Sequence, residues 1–210
     1  MEWFRCRRHE AVAQVDTLLR DYKHMRYMWI PYTDAVVVVT NHPADEVKKV
    51  PKSKPLPEAK RFAPLRELLK ETTQDAEEPF SDESMQGMGF GELRDALLAI
   101  NPLNIDHVKR CNAAEAEFWR LSSGYQVRPS DELLQFDCGG QQRVWEICFP
   151  TGTQEKNTGN DMELMRQLLE GIEEKEIPAH SPIEQRWSSG SSSFMSPAHG
   201  TENDVFTWVG

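Results

Sequence analysis

The chain has 210 residues with a formal net charge of −10 at pH 7, and 39% of its residues are hydrophobic. This length allows one large domain or two small ones with a real core, and with this negative charge a nucleic-acid-binding surface is not expected. No run approaches the roughly 18 apolar residues of a membrane span, and Met1–Glu10 lacks the apolar region of a signal peptide.

The N-terminal part predicts a helix followed by a β-hairpin. Apolar residues recur at helical spacing over Ala11–Lys23. Two strands, Arg26–Pro31 and Ala35–Thr40, then flank a short turn at residues 32–34. The second strand contains a run of four valines, which is too β-branched to favour a helix.

The next segment, about residues 43–84, differs in composition from the rest. Six prolines interrupt it, its first half is basic and its second half is acidic. This pattern predicts an exposed charged insertion with one short helix near Leu65–Lys70. Its lysines form either a solvated face or a docking patch for a partner, and the sequence leaves both interpretations open for Lys48, Lys49, Lys52 and Lys54.

Helical periodicity returns over Glu92–Ile100 and ends before Pro102. Asn104 can cap a second helix over Ile105–Leu121. After a break at a glycine pair, the alternation of Arg143–Phe149 predicts a strand.

The last third predicts one helix and two strands. Asn160 and Glu163 resemble a capping arrangement at the start of a helix that runs to about Glu176. One strand is centred on residues 183–187 and another on 205–209. Between them, Ser188–Ser193 is either a flexible loop or a place where the backbone approaches a ligand. The order of elements predicts an α+β fold with an antiparallel sheet covered on one face by helices.

A charged pair in the strand at 183–187 is the candidate site. In an extended strand, Glu184 and Arg186 emerge from one face, and Ile183, Gln185 and Trp187 from the other. Spacing alone favours a weak, solvated ion pair, because such pairs are common on strands. The alternative is an acid and a cation presented to a substrate by a rigid element.

Familiar catalytic fingerprints are absent from the sequence. It has no glycine-rich dinucleotide loop after a strand, no P-loop, no nucleophile elbow and no His-Glu-x-x-His zinc motif. Four cysteines and six histidines lie at unrelated spacings and predict no metal site.

Several long motifs nevertheless carry a resemblance. The strings RYMWIPYTDAVVVVTNHP, INPLNIDHV, NAAEAEFWRLSSGYQV, SDELLQFDCGGQQRVWEICFPTGT, PIEQRW and MSPA are collinear over about residues 11–210. Together they resemble the aldonolactone oxidoreductases of the plant and algal galactonolactone dehydrogenase type, within the vanillyl-alcohol-oxidase superfamily of flavoproteins. The resemblance covers only the cap, or substrate, region of that family.

The resemblance implies an FAD-dependent parent enzyme that oxidises L-galactono-1,4-lactone, or a related aldonolactone, at C2 to L-ascorbate. It implies cytochrome c as electron acceptor and a peripheral location at the mitochondrial inner membrane, on the intermembrane-space side. Residues 1–210 are then expected to be a cap domain truncated at both ends, without the FAD-binding domain. The FAD is expected to be bound mainly by that missing domain.

Within the family, the acid and the cation of the PIEQRW motif act in the substrate pocket, and they correspond to Glu184 and Arg186. A carboxylate suits the loss of a proton from the C2 hydroxyl, and a guanidinium suits developing negative charge. The resemblance also allows a second function, since the plant enzyme is associated with assembly of respiratory complex I. The chain would then be a non-catalytic interaction module.

Overall fold

The computed structural model describes residues 1–46, 56–134 and 144–210. Within these ranges the chain forms seven β-strands, six α-helices and one short 3₁₀ turn at Ala44–Glu46. The strands are β1 (Glu2–Cys6), β2 (His24–Ile30), β3 (Ala35–Asn41), β4 (Gly124–Tyr125), β5 (Ile147–Thr153), β6 (Ile183–Ser189) and β7 (Asp204–Val209). The helices are α1 (Arg8–Asp21), α2 (Glu58–Thr73), α3 (Phe90–Ile100), α4 (Ile105–Leu121), α5 (Ser130–Leu133) and α6 (Asn160–Glu174).

The strands form one sheet in the order β4-β1-β3-β2-β6-β7-β5, and every neighbouring pair is antiparallel. The predicted α+β class with an antiparallel sheet is therefore confirmed. β2 and β3 form the predicted hairpin. β6 lies in the interior of the sheet, between β2 and β7. A strand with a partner on each side holds its side chains in fixed directions, which matters for the charged pair that β6 carries.

Helices α1 and α6 cover the first face of the sheet. Their buried residues, among them Val15, Met165 and Leu169, pack against the side chains of β2 and β3 that point to this face. The hydroxyl of Tyr27 donates to the carbonyl of Ala11 at 2.9 Å, which fastens α1 to β2. The indole of Trp187 donates to Asp161 at 2.8 Å and fastens β6 to the start of α6.

Helices also lie against the second face, which differs from the expectation of helices on one face only. Val37 and Val39 of β3 form a cluster with Ile30, Ala35 and Ala116 of α4 on that side. The other two valines of the run, Val36 and Val38, belong to the first face. A strand that is buried on both faces has a continuous apolar run rather than an alternating one. The four consecutive valines are such a run.

The predicted exposed insertion at residues 43–84 is wrong for its described helical part. α2 spans Glu58–Thr73, far more than the short helix predicted, and it packs on α3 and α4. Its apolar side chains form a second core with the two other helices, through Phe62, Leu65, Leu68, Leu69, Met85, Leu93, Leu97, Cys111 and Phe118. Within α2, spacings of three and four residues place Phe62, Leu65 and Leu69 on one side of the helix despite Pro64. Lys48, Lys49, Lys52 and Lys54 lie outside the described residues.

Other boundaries follow from local chemistry. α4 has the predicted bounds, and the side chain of Asn104 accepts a hydrogen bond from the backbone of His107 at 2.8 Å. α6 begins as predicted but is preceded by Gly159 at a positive φ of 75°, and its N-cap position makes no side-chain hydrogen bond, so the predicted capping arrangement is wrong. The strand predicted at Arg143–Phe149 begins at Ile147, and both Arg143 and the glycine pair at 139–140 lie outside the described residues. The sequence did not predict β1.

Among the described helices, none is both long enough and apolar enough to cross a membrane.

Candidate active site

Glu184 and Arg186 form an ion pair on β6, on the face of the sheet opposite α1 and α6. The Nη2 of Arg186 lies 2.7 Å from the Oε2 of Glu184. The side chain of Glu184 is only 16% exposed, and that of Arg186 is 43% exposed. Gln185 points the other way and is fully buried, as the alternation predicted. The pair is therefore more enclosed than the solvated surface pair that spacing alone favoured.

A second arginine contacts the same carboxylate. Arg26 of β2 lies directly opposite Arg186 in the strand register. Its Nη1 is 3.2 Å from the Oε1 of Glu184, so each carboxylate oxygen of Glu184 contacts a different guanidinium. Two like charges placed directly opposite each other on neighbouring strands repel. Glu184 offsets that repulsion, and the three side chains form one charged network.

This network lies in a cleft of about 580 Å³ between the second face of the sheet and the helices. The sheet contributes the charged network and Met28. The helical side contributes Phe118 and Trp119 of α4, and Trp3 of β1 lies at the same cleft. Aromatic walls with a few convergent polar groups are typical of sites that bind small polar molecules.

Glu115 is the buried acid of the cleft. It lies on α4, is 3% exposed and contributes to the cleft lining. The hydroxyl of Ser181 donates to one carboxyl oxygen, and the indole of Trp119 donates to the other at 3.2 Å. Burial raises the pKa of Glu115 above its ordinary value, while the hydrogen bonds from Ser181 and Trp119 oppose that effect.

Two further arginines line the helical side of the cleft. Arg94 of α3 contacts Asp95 at 3.1 Å and lies over the ring of Phe90 at 5.7 Å. Arg61 of α2 also lines the cleft, and its Nε is buried with no hydrogen-bond partner among the described residues. The cleft thus gathers four guanidinium groups within a chain whose net charge is −10.

The small-residue segment Ser188–Ser193 begins in the last two residues of β6 and does not contribute to the cleft lining. At Gly190, an added Cβ would come within 2.1 Å of the carbonyl oxygen of Thr201. The backbone of Gly190 also donates to the carbonyl of Asp204 at 2.8 Å. The close backbone approach that the sequence suggested is therefore an approach to the chain itself, at the connection between β6 and β7.

Arg26 and Glu115 were not among the residues predicted from the sequence. A signal for Glu115 existed, because it falls in the stripe of Val108, Cys111 and Phe118 that faces the core. A charged residue within such a stripe is either buried and bonded or an exception to the pattern. No comparable signal existed for Arg26, because its neighbour across the strands depends on the pairing of β2 with a segment about 160 residues away.

In the described ranges, no group of three His, Cys, Asp or Glu side chains is arranged to hold a metal ion.

The family model that matches the chain is that of D-arabinono-1,4-lactone oxidase, over residues 5–203. The chain belongs to this family. The match includes the charged network and every described helix, whereas the first three residues of β1, Trp3 among them, and all of β7 lie outside it.

Curated relatives agree with this assignment. The chain is 48% identical over 207 residues to the mitochondrial L-galactono-1,4-lactone dehydrogenase of Brassica oleracea, which covers 92% of this chain and 34% of that protein. It is 48% identical over 205 residues to the corresponding protein of Arabidopsis thaliana, and this match covers 92% of the present chain and 33% of the Arabidopsis protein. The mitochondrial L-galactono-1,4-lactone dehydrogenase 2 of Oryza sativa subsp. japonica is 45% identical over 216 residues, and this match covers 96% of the present chain and 36% of the rice protein. The chain thus spans about a third of the length of these relatives.

Proposed function

We propose that the whole protein carrying this chain is an FAD-dependent oxidoreductase that oxidises an aldonolactone, and that this chain supplies the substrate side of its active site. L-Galactono-1,4-lactone, oxidised at C2 to L-ascorbate, is the proposed substrate. The observation that carries the proposal is the Glu184 carboxylate held between Arg26 and Arg186 in an aromatic-walled cleft. The names of the relatives, L-galactono-1,4-lactone dehydrogenases, support the choice of substrate.

The roles follow from the chemistry of the side chains. An ionised carboxylate only accepts hydrogen bonds, so Glu184 can orient the C2 hydroxyl of the lactone and receive its proton. A guanidinium only donates, so Arg186 and Arg26 can stabilise negative charge that develops on an oxygen of the substrate. Because Arg186 is the more exposed of the two arginines, it is the better placed to reach a bound molecule.

The cleft fits part of a flavin cofactor. The donor groups of Arg26 and Arg186 suit the oxygen-bearing edge of the flavin ring, and Trp3 and Trp119 supply apolar surface beside them. In the described ranges no glycine-rich loop joins a strand to a helix start, which is the usual cradle for the phosphates. We therefore assign this chain contacts to the ring side only. When bound, the flavin supplies the two-electron acceptor.

The proposal extends to cytochrome c as the final electron acceptor and to the intermembrane-space side of the mitochondrial inner membrane. The relatives are named mitochondrial, which supports the compartment. The acceptor is tested with the purified whole protein by adding the lactone and following cytochrome c reduction, with oxygen uptake as the comparison. Oxygen uptake without cytochrome c reduction would overturn this part.

The decisive experiment compares Glu184→Gln and Arg186→Met in the whole protein with Arg166→Gln, which changes an exposed ion pair on α6, the helix that covers the opposite face of the sheet. We expect kcat to fall by about 100-fold or more in the first two, the usual range for a lost proton-transferring group or charge-stabilising donor. The control should retain wild-type turnover. Wild-type protein that contains flavin but turns over no aldonolactone would overturn the proposal.

The same variants separate catalysis from the alternative of a non-catalytic interaction module in respiratory complex I assembly. If wild-type and Glu184→Gln proteins capture the same partners from mitochondrial membranes and neither turns over lactone, the interaction function is favoured. Turnover that depends on Glu184 favours the enzyme.

A further inference from the structure

The segment that leads into β6 is held from the opposite wall of the cleft by two side chains of one helix. Asn112 and Glu115 are three residues apart on α4, so they project from the same side of the helix. Both are buried, Asn112 to 1% and Glu115 to 3% exposure. Burying a polar side chain costs free energy unless the side chain is hydrogen-bonded. Four of the five hydrogen bonds described below for Asn112 and Glu115 go to Pro31, just after β2, and to residues 179–181.

Asn112 bonds the backbone of two separate segments. Its Nδ2 donates to the carbonyls of Pro31 and Ala179, both at 3.0 Å. Its Oδ1 accepts from the backbone N–H of Ser181, also at 3.0 Å. Pro31 directly follows β2, the strand of Arg26, and Ser181 lies three residues before Glu184. One amide therefore links the residue that follows β2 to the segment that precedes β6.

Glu115 adds a second bond to the same segment. It accepts from the hydroxyl of Ser181 with one oxygen and from the indole of Trp119 with the other. A carboxylate can accept on both oxygens, whereas the amide of glutamine can accept on only one. The choice of Glu at this position is explained by the two donors that it meets.

We propose that Asn112 and Glu115 are positioning residues that set the location of Glu184 relative to the helical wall of the cleft. Neither is assigned a chemical step. They act through residues 179–182, which pair with no strand in the described part of the chain and are joined directly to β6. The expected effect on catalysis rests on the proposed function. The hold of Asn112 and Glu115 on residues 179–182 does not depend on that function.

We call the hydrogen bonds of Asn112 and Glu115 to Pro31 and residues 179–181 the clamp. Two variants test it without changing the size of the side chain. Asn112→Asp keeps the acceptor for Ser181 but places a second oxygen against the carbonyls of Pro31 and Ala179, so it breaks two of three bonds. Glu115→Gln keeps an acceptor for one donor only. Glu115→Leu removes both. Val108→Ala, a buried position of α4 that does not line the cleft, is the matched control for general loss of stability.

Hydrogen exchange of the chain gives the readout that does not need activity. In Asn112→Asp and Glu115→Leu we expect amide exchange in residues 179–186 to accelerate by at least about tenfold relative to Val108→Ala, with β5 unchanged. Unchanged exchange in 179–186 would overturn the proposal.

Kinetics of the whole protein give the second readout. A misplacement of about 1 Å at a reacting group can cost about 100-fold in rate, so Glu115→Leu should lower kcat by about 10- to 100-fold with KM changed less than about threefold. Glu115→Gln should recover part of the loss, and Val108→Ala should have normal kcat. Equal kcat in Glu115→Leu and Val108→Ala would overturn the positioning role. If the wild type has no turnover, the proposed function fails, and hydrogen exchange alone decides whether the clamp exists.

Discussion

Arg26 and Arg186 lie directly opposite each other on β2 and β6, and Glu184 contacts both. The arrangement places two positive charges at the floor of the cleft with one carboxylate between them. It makes the carboxylate important for stability as well as for chemistry, because its removal leaves two guanidinium groups facing each other.

We predict that Glu184→Gln lowers the free energy of unfolding by about 1–2 kcal/mol, since charge-assisted hydrogen bonds in a partly exposed network are lost. A double-mutant cycle between Arg26→Gln and Glu184→Gln should give a coupling energy of about 1 kcal/mol. Urea unfolding of the four proteins measures it.

The exposed pair Arg128–Glu132, at 3.3 Å, is the matched control for that cycle. Its coupling energy should not exceed about 0.5 kcal/mol, because solvent screens exposed ion pairs. Equal coupling energies in the two cycles would contradict the view that the cleft network is more enclosed than a surface pair.

Helix bounds and side-chain directions could be predicted from the sequence where they are determined by neighbouring residues. The start of α4 was predicted correctly because Asn104 caps it. The direction of Glu184 and Gln185 was predicted because strands alternate. α2 was underestimated because the prolines and charges of residues 43–84 outweighed the helical spacing of Phe62 and Leu65.

Non-local features could not be predicted in the same way. β1 is a five-residue strand that alternates only weakly, and it is defined by its pairing with β3 and β4. The network of Arg26 with Glu184 depends on which strands become neighbours in the sheet. Sequence patterns specify which face a side chain occupies but not which strand lies beside it.

Gln185 leads to a second stability prediction. It is fully buried on the first face, where it accepts from the indole of Trp29 at 2.9 Å and donates to Thr207 at 3.3 Å. Gln185→Leu leaves the buried N–H of Trp29 without an acceptor, so we expect a loss of about 1–3 kcal/mol in unfolding free energy. Thermal and urea unfolding measure the loss.

The control for Gln185→Leu is Gln167→Leu on the exposed side of α6, where the change should stay within about 0.5 kcal/mol. If the two variants lose equal stability, the buried hydrogen bonds of Gln185 contribute nothing specific.

Glu115 predicts an unusual pH dependence. Burial raises the pKa of this carboxyl in the folded chain above its ordinary value of 4.5. The folded chain then binds the proton more tightly than the unfolded chain. Its contribution to stability is therefore greatest below the ordinary pKa and decreases as pH rises from 4.5 towards the folded value. Relative to Glu115→Gln, the wild type should lose stability over that range, as measured by urea unfolding at a series of pH values.

Glu117 on the same helix provides a control of opposite sign. The hydrogen bond from Arg120 lowers the pKa of Glu117 below 4.5, so its contribution is present above that value and is lost on acidification. Relative to Glu117→Gln, the wild type should therefore gain stability as pH rises through the region below 4.5. The same slope for both comparisons would contradict the assignment of Glu115 as the buried acid.

Alanine substitutions at two glycines, Gly190 in the connection between β6 and β7 and Gly171 in α6, are expected to change stability in opposite directions. At Gly190 an added Cβ would lie 2.1 Å from the carbonyl oxygen of Thr201, and that oxygen belongs to the backbone, which cannot move aside without disturbing the strand connection. We expect Gly190→Ala to cost about 2–3 kcal/mol in unfolding free energy. At Gly171, in the last turn of α6, no other described atom lies within 4 Å of an added Cβ, so Gly171→Ala should stabilise by about 0.5–1 kcal/mol, because alanine loses less backbone entropy in a helix. Urea unfolding measures both, and a stable Gly190→Ala protein would show that this connection tolerates a side chain.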